Sequence, residues 1–438
     1  MSFPLLLRRS FSTSTRCSYR AKNIPEDIIA KTITTQATRR GSSKDIQNTE
    51  DIKPEAEPQS SPAPKAARKP RTRKIGTTLP VDRFNLPPRS TWKNYFPTSG
   101  VALKSRISIA NPETAAKVAN SFVPSGSRGQ VIIEAYPGPG VLTRALMELP
   151  KNRIRKIIVL EDSEYYLNFL HPLQKADPRV KVLPMNGFSW DTYHQLDVEG
   201  FLDDVESVPW NEPNPYLHFI SHLPMDVLGE QLLAQLLRCA PEQSWLFKHG
   251  RVSMSYLMHD WVWDRISASI NDLPRCKLSV IAQAVSKFNL TIDPKLLVPY
   301  NDHFYPDAVN PAQTSKTENR RRGTPFVAGT FRPLEYQIIK PGMLDKWDYC
   351  LRKLFVLKST PLQGAVGHLA PGSDALKSYL TGDNVPLEQR TVLKKIIRKM
   401  SVEDWAALVG AFDRWPFAPE ELLITDSFSR DDQWLNSG

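Results

Sequence analysis

The run Glu134-Ala135-Tyr136-Pro137-Gly138-Pro139-Gly140 decides how this chain folds. Before it stands Val131-Ile132-Ile133, a short apolar stretch that reads as a buried strand. After it Leu142, Leu146 and Leu149 recur at helical spacing. Strand, glycine turn and helix in that order form the first unit of a doubly wound sheet, where ligands sit at the carboxyl ends of the strands. Small residues in such a turn let a ligand approach the backbone. Ile157-Ile158-Val159-Leu160 reads as the next strand and ends in Glu161, 21 residues beyond Gly140. An acid about 20 residues on is where ribose hydroxyls find their acceptor. By itself the pattern fits a nucleotide-like ligand, and equally a tight turn with a solvated carboxylate.

On either side of this unit, strands and helices alternate. Asn111-Pro112-Glu113 reads as a helix start, with Ala115, Val118, Ala119 and Phe122 on one face. Residues 165–173 are helix-like, 180–183 and 216–220 are strand-like, and 225–237 place Leu228, Leu232 and Leu236 four apart. This alternation predicts a mostly parallel α/β sheet. From Lys346 the pattern turns helical. Leu393, Ile396, Ile397 and Met400 predict one apolar helix face, flanked by Lys394/Arg398 and Lys395/Lys399. Ser401 with Asp404 resembles a capping box.

Charge is unevenly spread. The 438 residues carry 57 Lys+Arg and 46 Asp+Glu, but residues 1–80 hold 16 of the cations and only 7 of the acids. The body is therefore nearly neutral, and nucleic-acid contact there must rest on local patches. Up to Lys22 no acid occurs, while Arg8, Arg9, Arg16 and Arg20 alternate with Ser and Thr beside Leu5, Leu6, Leu7 and Phe11. That composition reads as a mitochondrial import leader, or else as a basic arm. The proline-rich stretch 41–90 reads as a linker, and its basic run 68–74 suits phosphates or simply solvent. Cys17, Cys239, Cys276 and Cys350 stand too far apart for a CxxC metal site, so no metal is expected. No stretch is long and apolar enough to span a bilayer, so membrane insertion is not expected.

Residues 134–143 (EAYPGPGVLT) resemble the first motif of the ribosomal RNA adenine dimethyltransferases, which use S-adenosylmethionine. Leu160-Glu161-Asp162 resembles their ribose-binding strand end. Residues 219–225 (FISHLPM) resemble the segment bearing their catalytic tetrad, 278–283 (LSVIAQ) a later signature, and 348–355 the start of their helical C-terminal domain. Together with Trp-Pro-Phe at 415–417, these are most similar to the fungal mitochondrial transcription factor B branch. The resemblance implies a Rossmann-like methyltransferase domain with a smaller C-terminal helical domain. The expected division is 1–40 transit peptide, 41–90 linker, 91–300 methyltransferase-fold domain, 301–345 basic loop and return to the sheet, 346–425 helical domain and 426–438 tail. It also implies cofactor contacts at Glu134, Tyr136, Gly138, Gly140, Glu161 and Asn186, and a tetrad at His222, Leu223, Pro224 and Met225.

The family's tetrad holds the target amine with an amide and stacks an aromatic ring on the flipped base. Here His222 replaces the Asn and Met225 the aromatic, Tyr136 replaces the loop's first glycine, and Asn186 an acid. A neutral imidazole offers a single acceptor. The expectation is therefore a matrix transcription initiation factor with a degenerate, vestigial S-adenosylmethionine site, acting with mitochondrial RNA polymerase on melted promoter DNA. The alternative is an active rRNA adenine dimethyltransferase, and rRNA a possible partner. Candidate phosphate contacts are Arg251, Arg320, Arg321, Arg322, Lys394, Lys395, Arg398 and Lys399. Candidate stacking surfaces are Tyr136, Trp190 and Trp245. Against these stand a solvated helix face for 394–399 and core roles for the aromatics.

Overall fold

The computed structural model describes residues 84–98, 103–308, 322–382 and 389–422. The expected import leader, the basic run 68–74, Arg320, Arg321 and the tail 426–438 lie outside the described residues.

The apolar runs become strands because burial on both faces selects branched aliphatic residues without alternation. After β1 (Ser108–Ile109) come β2 (Gln130–Ala135), β3 (Ile154–Leu160), β4 (Val180–Leu183), β5 (Pro213–His222) and β6 (Arg251–His259). Then follow β7 (Ser286–Leu290), β8 (Phe304–Tyr305) and β9 (Phe326–Pro333). Seven of them form one sheet in the order β4-β3-β2-β5-β6-β9-β7. Strands β2 to β6 pair in parallel, while β9 runs antiparallel to both β6 and β7. The remaining pair, β1 and β8, is a short antiparallel ladder.

Helices cover both faces. On one face lie α1 (Pro112–Phe122), α2 (Val141–Glu148) and α3 (Glu164–Ala176). Their Val118, Leu146 and Leu170 share a buried cluster with Ile132, Ile157 and Ile220 of the strands. Asn111 caps α1 as its sequence predicts, accepting from the amides of Glu113 and Thr114. The other face carries α4 (Trp190–Val198), α5 (Val227–Cys239), α6 (Asp260–Ser267) and α7 (Lys277–Val285). Beyond them come α8 (Leu344–Phe355), α9 (Leu376–Thr381) and α10 (Val402–Arg414). Trp347, Leu351, Trp405 and Phe412 of α8 and α10 belong to the same buried cluster as Phe219, Met254 and Tyr256 of the sheet. The predicted α/β fold with C-terminal helices is therefore the observed one.

One predicted helix is absent. Residues 389–400 are two 3₁₀ turns, Gln389–Lys394 and Ile397–Lys399, separated at Ile396, which bridges to Pro361. Tertiary pairing overrides the 3.6-residue pattern there: Leu362 and Ile397 donate their amides to the carbonyls of Lys395 and Thr360. Arg398 and Lys399 consequently do not extend a helical face begun by Lys394 and Lys395. The Ser401/Asp404 capping box does form, opening α10.

Candidate functional site

The glycine loop sits at the carboxyl end of β2, between its neighbours β3 and β5. Gly138 and Gly140 adopt left-handed backbone, with φ of 60° and 82°. A Cβ at Gly138 would lie 2.3 Å from Ser108 Oγ, and one at Gly140 2.5 Å from Leu170 Cδ2. Only glycine fits both places. Tyr136 is also left-handed, at φ 59°, a conformation that a residue with a side chain rarely takes. Its ring is nearly buried, and its hydroxyl donates to Asn186 Oδ1 at 3.2 Å. That oxygen also accepts the Phe188 amide, and Asn186 Nδ2 donates to Asp162.

Glu161 directly follows β3, at the strand end the sequence predicts, but it is 1 % exposed. Arg106, itself only 6 % exposed, donates to both oxygens, at 3.2 and 2.6 Å. The Ser163 amide adds a third bond. The guanidinium carbon stands 4.6 Å from the Tyr136 ring centre and 5.3 Å from that of Tyr166. Burial opposes the Arg106 charge, and Glu161 more than restores it, so the group titrates above its usual range. The segment around Arg106 is tied down on every side. Ser105 accepts the Met225 amide at 2.9 Å and donates to Asp226 at 2.7 Å. Arg322 donates to the Lys104 carbonyl at 3.0 Å, and β1 pairs with β8.

The tetrad positions are equally enclosed. His222 ends β5 with its ring edge-on to Phe326 and Phe304, at 5.4 and 6.2 Å. Its Nε2 is buried without a partner. Burial, reinforced by the Arg106 charge, lowers its pKa to about 3, so the ring is neutral at physiological pH. The Leu223 amide donates to the Leu257 carbonyl at 2.9 Å, continuing the β5–β6 pairing. The Pro224 carbonyl packs against Gly229, where a Cβ would approach it to 2.2 Å. Met225 is half-buried. Beneath the loop, the Glu134 carboxyl is buried, with the Thr143 hydroxyl beside it. Burial pushes the Glu134 pKa up to about 7.

A model of the ribosomal RNA adenine dimethylases matches residues 108–407. The chain belongs to that family. It is similar to mitochondrial transcription factor 1 of Lachancea kluyveri, 23% identical over 298 residues, or 66% of this chain and 82% of that one. Mitochondrial transcription factor 1 of Saccharomyces cerevisiae is 24% identical over 300 residues, 67% of this chain and 82% of that one. Among solved structures, a dimethyladenosine transferase from Plasmodium falciparum aligns over 70% of this chain and 98% of its own, with 15% identity and a TM-score of 0.46.

Dimethylases of this family use S-adenosylmethionine, and the residues here do not fit it. A ribose would donate to a carboxylate that is 1 % exposed and already accepts three bonds, two from Arg106 and one from the Ser163 amide. The expected adenine contact, Asn186, is spent on Tyr136, Phe188 and Asp162. The Tyr136 ring fills the turn where a glycine would leave room. Arg106 is the residue that sequence reading missed. Its signal was present, an arginine directly ahead of the apolar Ile107-Ser108-Ile109-Ala110, but no local rule names its partner.

The candidate phosphate contacts of this dimethylase-family chain fare unevenly. Arg251 is a correction: it is buried, and it donates to the carbonyls of Trp210 and Asn211, both at 2.7 Å. A guanidinium spent on stapling the chain has no face left for phosphate. Lys395 is another, since its ammonium bonds both Asp404 oxygens, at 2.8 and 2.7 Å. Lys394 and Lys399 are exposed and Arg398 half-buried. Of the aromatics, Trp190 is 40 % exposed and packs edge-on to Trp245 at 5.6 Å. Trp245 is held against Tyr193, 4.3 Å away, and against Phe219.

Proposed function

We propose that this chain is a mitochondrial transcription factor, working in the matrix, which keeps the dimethylase fold as a scaffold for DNA instead of for methyl transfer. The observation that carries the reading is the buried Arg106–Glu161 pair, which takes the carboxylate a cofactor's ribose would need. The names borne by the two fungal relatives support it. So does the tetrad, where a neutral imidazole with a buried, unbonded Nε2 and a thioether replace an amide and an aromatic ring. Fold alone does not set function, and the site argues against catalysis.

In this reading the factor helps mitochondrial RNA polymerase to open promoters by holding one melted strand. Single-strand capture needs cations along the backbone and rings for the bases. Lys394, Arg398, Lys399 and Arg322 supply the first, and the exposed face of Trp190 the second. The division into a methyltransferase-fold domain (91–300), a returning loop (301–345) and a helical domain (346–425) belongs to the same proposal. The other reading is an active dimethyltransferase of rRNA adenines, favoured by the intact Gly138/Gly140 turn.

Two assays on the full chain separate them. Run-off transcription with the cognate mitochondrial polymerase is expected to depend on the factor on a closed linear promoter and much less on a pre-melted one. Labelled S-adenosylmethionine with small-subunit rRNA is expected to give no transfer. Efficient adenine dimethylation, or factor-independent run-off, overturns the proposal.

A further inference from the structure

The opposite end of the sheet carries a feature that the site above does not use. Parallel β6 begins at Arg251, β7 begins at Ser286, and the antiparallel β9 ends at Pro333. These three ends meet far from the Tyr136 loop, which follows the carboxyl end of β2. A groove of about 470 Å³ opens among Arg251, Lys287, Asn289, Thr330, Arg332 and Tyr336.

Register makes this groove unusual. Lys287 stands directly opposite Arg332, and Asn289 opposite Thr330, so all four share one face. The intervening pair, Phe288 and Phe331, turns to the other face, with ring centres 5.2 Å apart. Like charges directly opposed across two strands repel. Both cations are exposed, and neither lies within ion-pair distance of a carboxylate among the described residues. Glu335, the acid on the rim, leans instead toward Arg251 at 3.9 Å. Arg332 is aimed by a bond to Ser253 Oγ at 3.3 Å. The Thr330 hydroxyl is fixed from below through Ser255 (2.6 Å) to the buried His218 (2.8 Å). Beside them the Tyr336 ring is 83 % exposed.

We propose that this groove binds single-stranded nucleic acid, with a phosphate between Lys287 and Arg332 and a base on the Tyr336 ring. A phosphate relieves the repulsion between Lys287 and Arg332, and the ring supplies sequence-tolerant stacking. An acidic peptide would satisfy the cations but leave the exposed ring without a role. The inference stands apart from the closed cofactor site, and the run-off assay above does not test it.

The test uses the full chain and a fluorescent 20-residue oligo-dT, with binding followed by anisotropy over a salt series. Lys287→Gln with Arg332→Gln is expected to lower the slope of log K against log salt by about 1.4, near 0.7 for each lost single-strand contact. Tyr336→Ala is expected to weaken binding by about 5- to 150-fold. Lys287→Glu supplies the internal control: it pairs with Arg332 and so is expected to raise the melting temperature while weakening oligo-dT binding. An unchanged slope in the folded double variant overturns the proposal. So does poly-glutamate displacing oligo-dT while Tyr336→Ala has no effect, because the groove is then a peptide site.

Discussion

Replacing Arg106 by Met keeps the aliphatic stem and removes the charge. Glu161 is then left 1 % exposed with the Ser163 amide as its remaining donor. Breaking one side of such a pair typically destabilises by about 3–5 kcal/mol, because an uncompensated charge stays buried. Glu161→Gln strands the guanidinium and is expected to cost about the same. The double variant has no buried charge, and its loss should fall short of the sum of the single losses by about 2–3 kcal/mol, as expected for residues in direct contact. Urea unfolding followed by tryptophan fluorescence and far-ultraviolet circular dichroism measures all four proteins, and coincident curves license the two-state comparison. Additive losses, within about 0.5 kcal/mol, would refute the claim that the pair acts as a unit. Calorimetry adds a second arm: the unmodified protein is expected to give no binding heat with S-adenosylmethionine. Micromolar binding would show that Glu161 is accessible after all.

Three further outcomes follow from the same geometry. Glu134 has a folded pKa of about 7 against 4.5 for the free group, so the unfolded chain sheds its proton first and stability falls as pH rises between those values. Glu134→Gln should therefore stabilise by about 3 kcal/mol at pH 8 but only about 1 kcal/mol at pH 5, read from urea midpoints at each pH. His222 behaves oppositely, since its folded pKa of about 3 lies below the free value of 6.5 and the unfolded chain takes up a proton first on acidification. It removes about 2 kcal/mol of stability between pH 7.5 and pH 5, and His222→Gln is expected to abolish that increment. Arg251→Ala should destabilise by about 3 kcal/mol, by stranding the Trp210 and Asn211 carbonyls, as read from the urea midpoint.

The amino-acid sequence by itself determined the α/β order, the left-handed glycine turn at Gly138 and Gly140, the strand-end position of Glu161, and the caps at Asn111 and Ser401. Each is legible because its cause is local: apolar runs, capping side chains and glycine backbone act within a few residues. The departures of His222 and Met225 from the pattern of the resembled family were visible for the same reason, as plain substitutions. The tertiary structure alone decided what those residues meet. Arg106 reaches Glu161 across 55 positions, Arg251 spends its charge on carbonyls about 40 residues away, and Pro361 breaks the helix expected through Ile396. A buried charge takes whichever partner the fold brings within hydrogen-bond reach, and separation along the chain does not encode that distance.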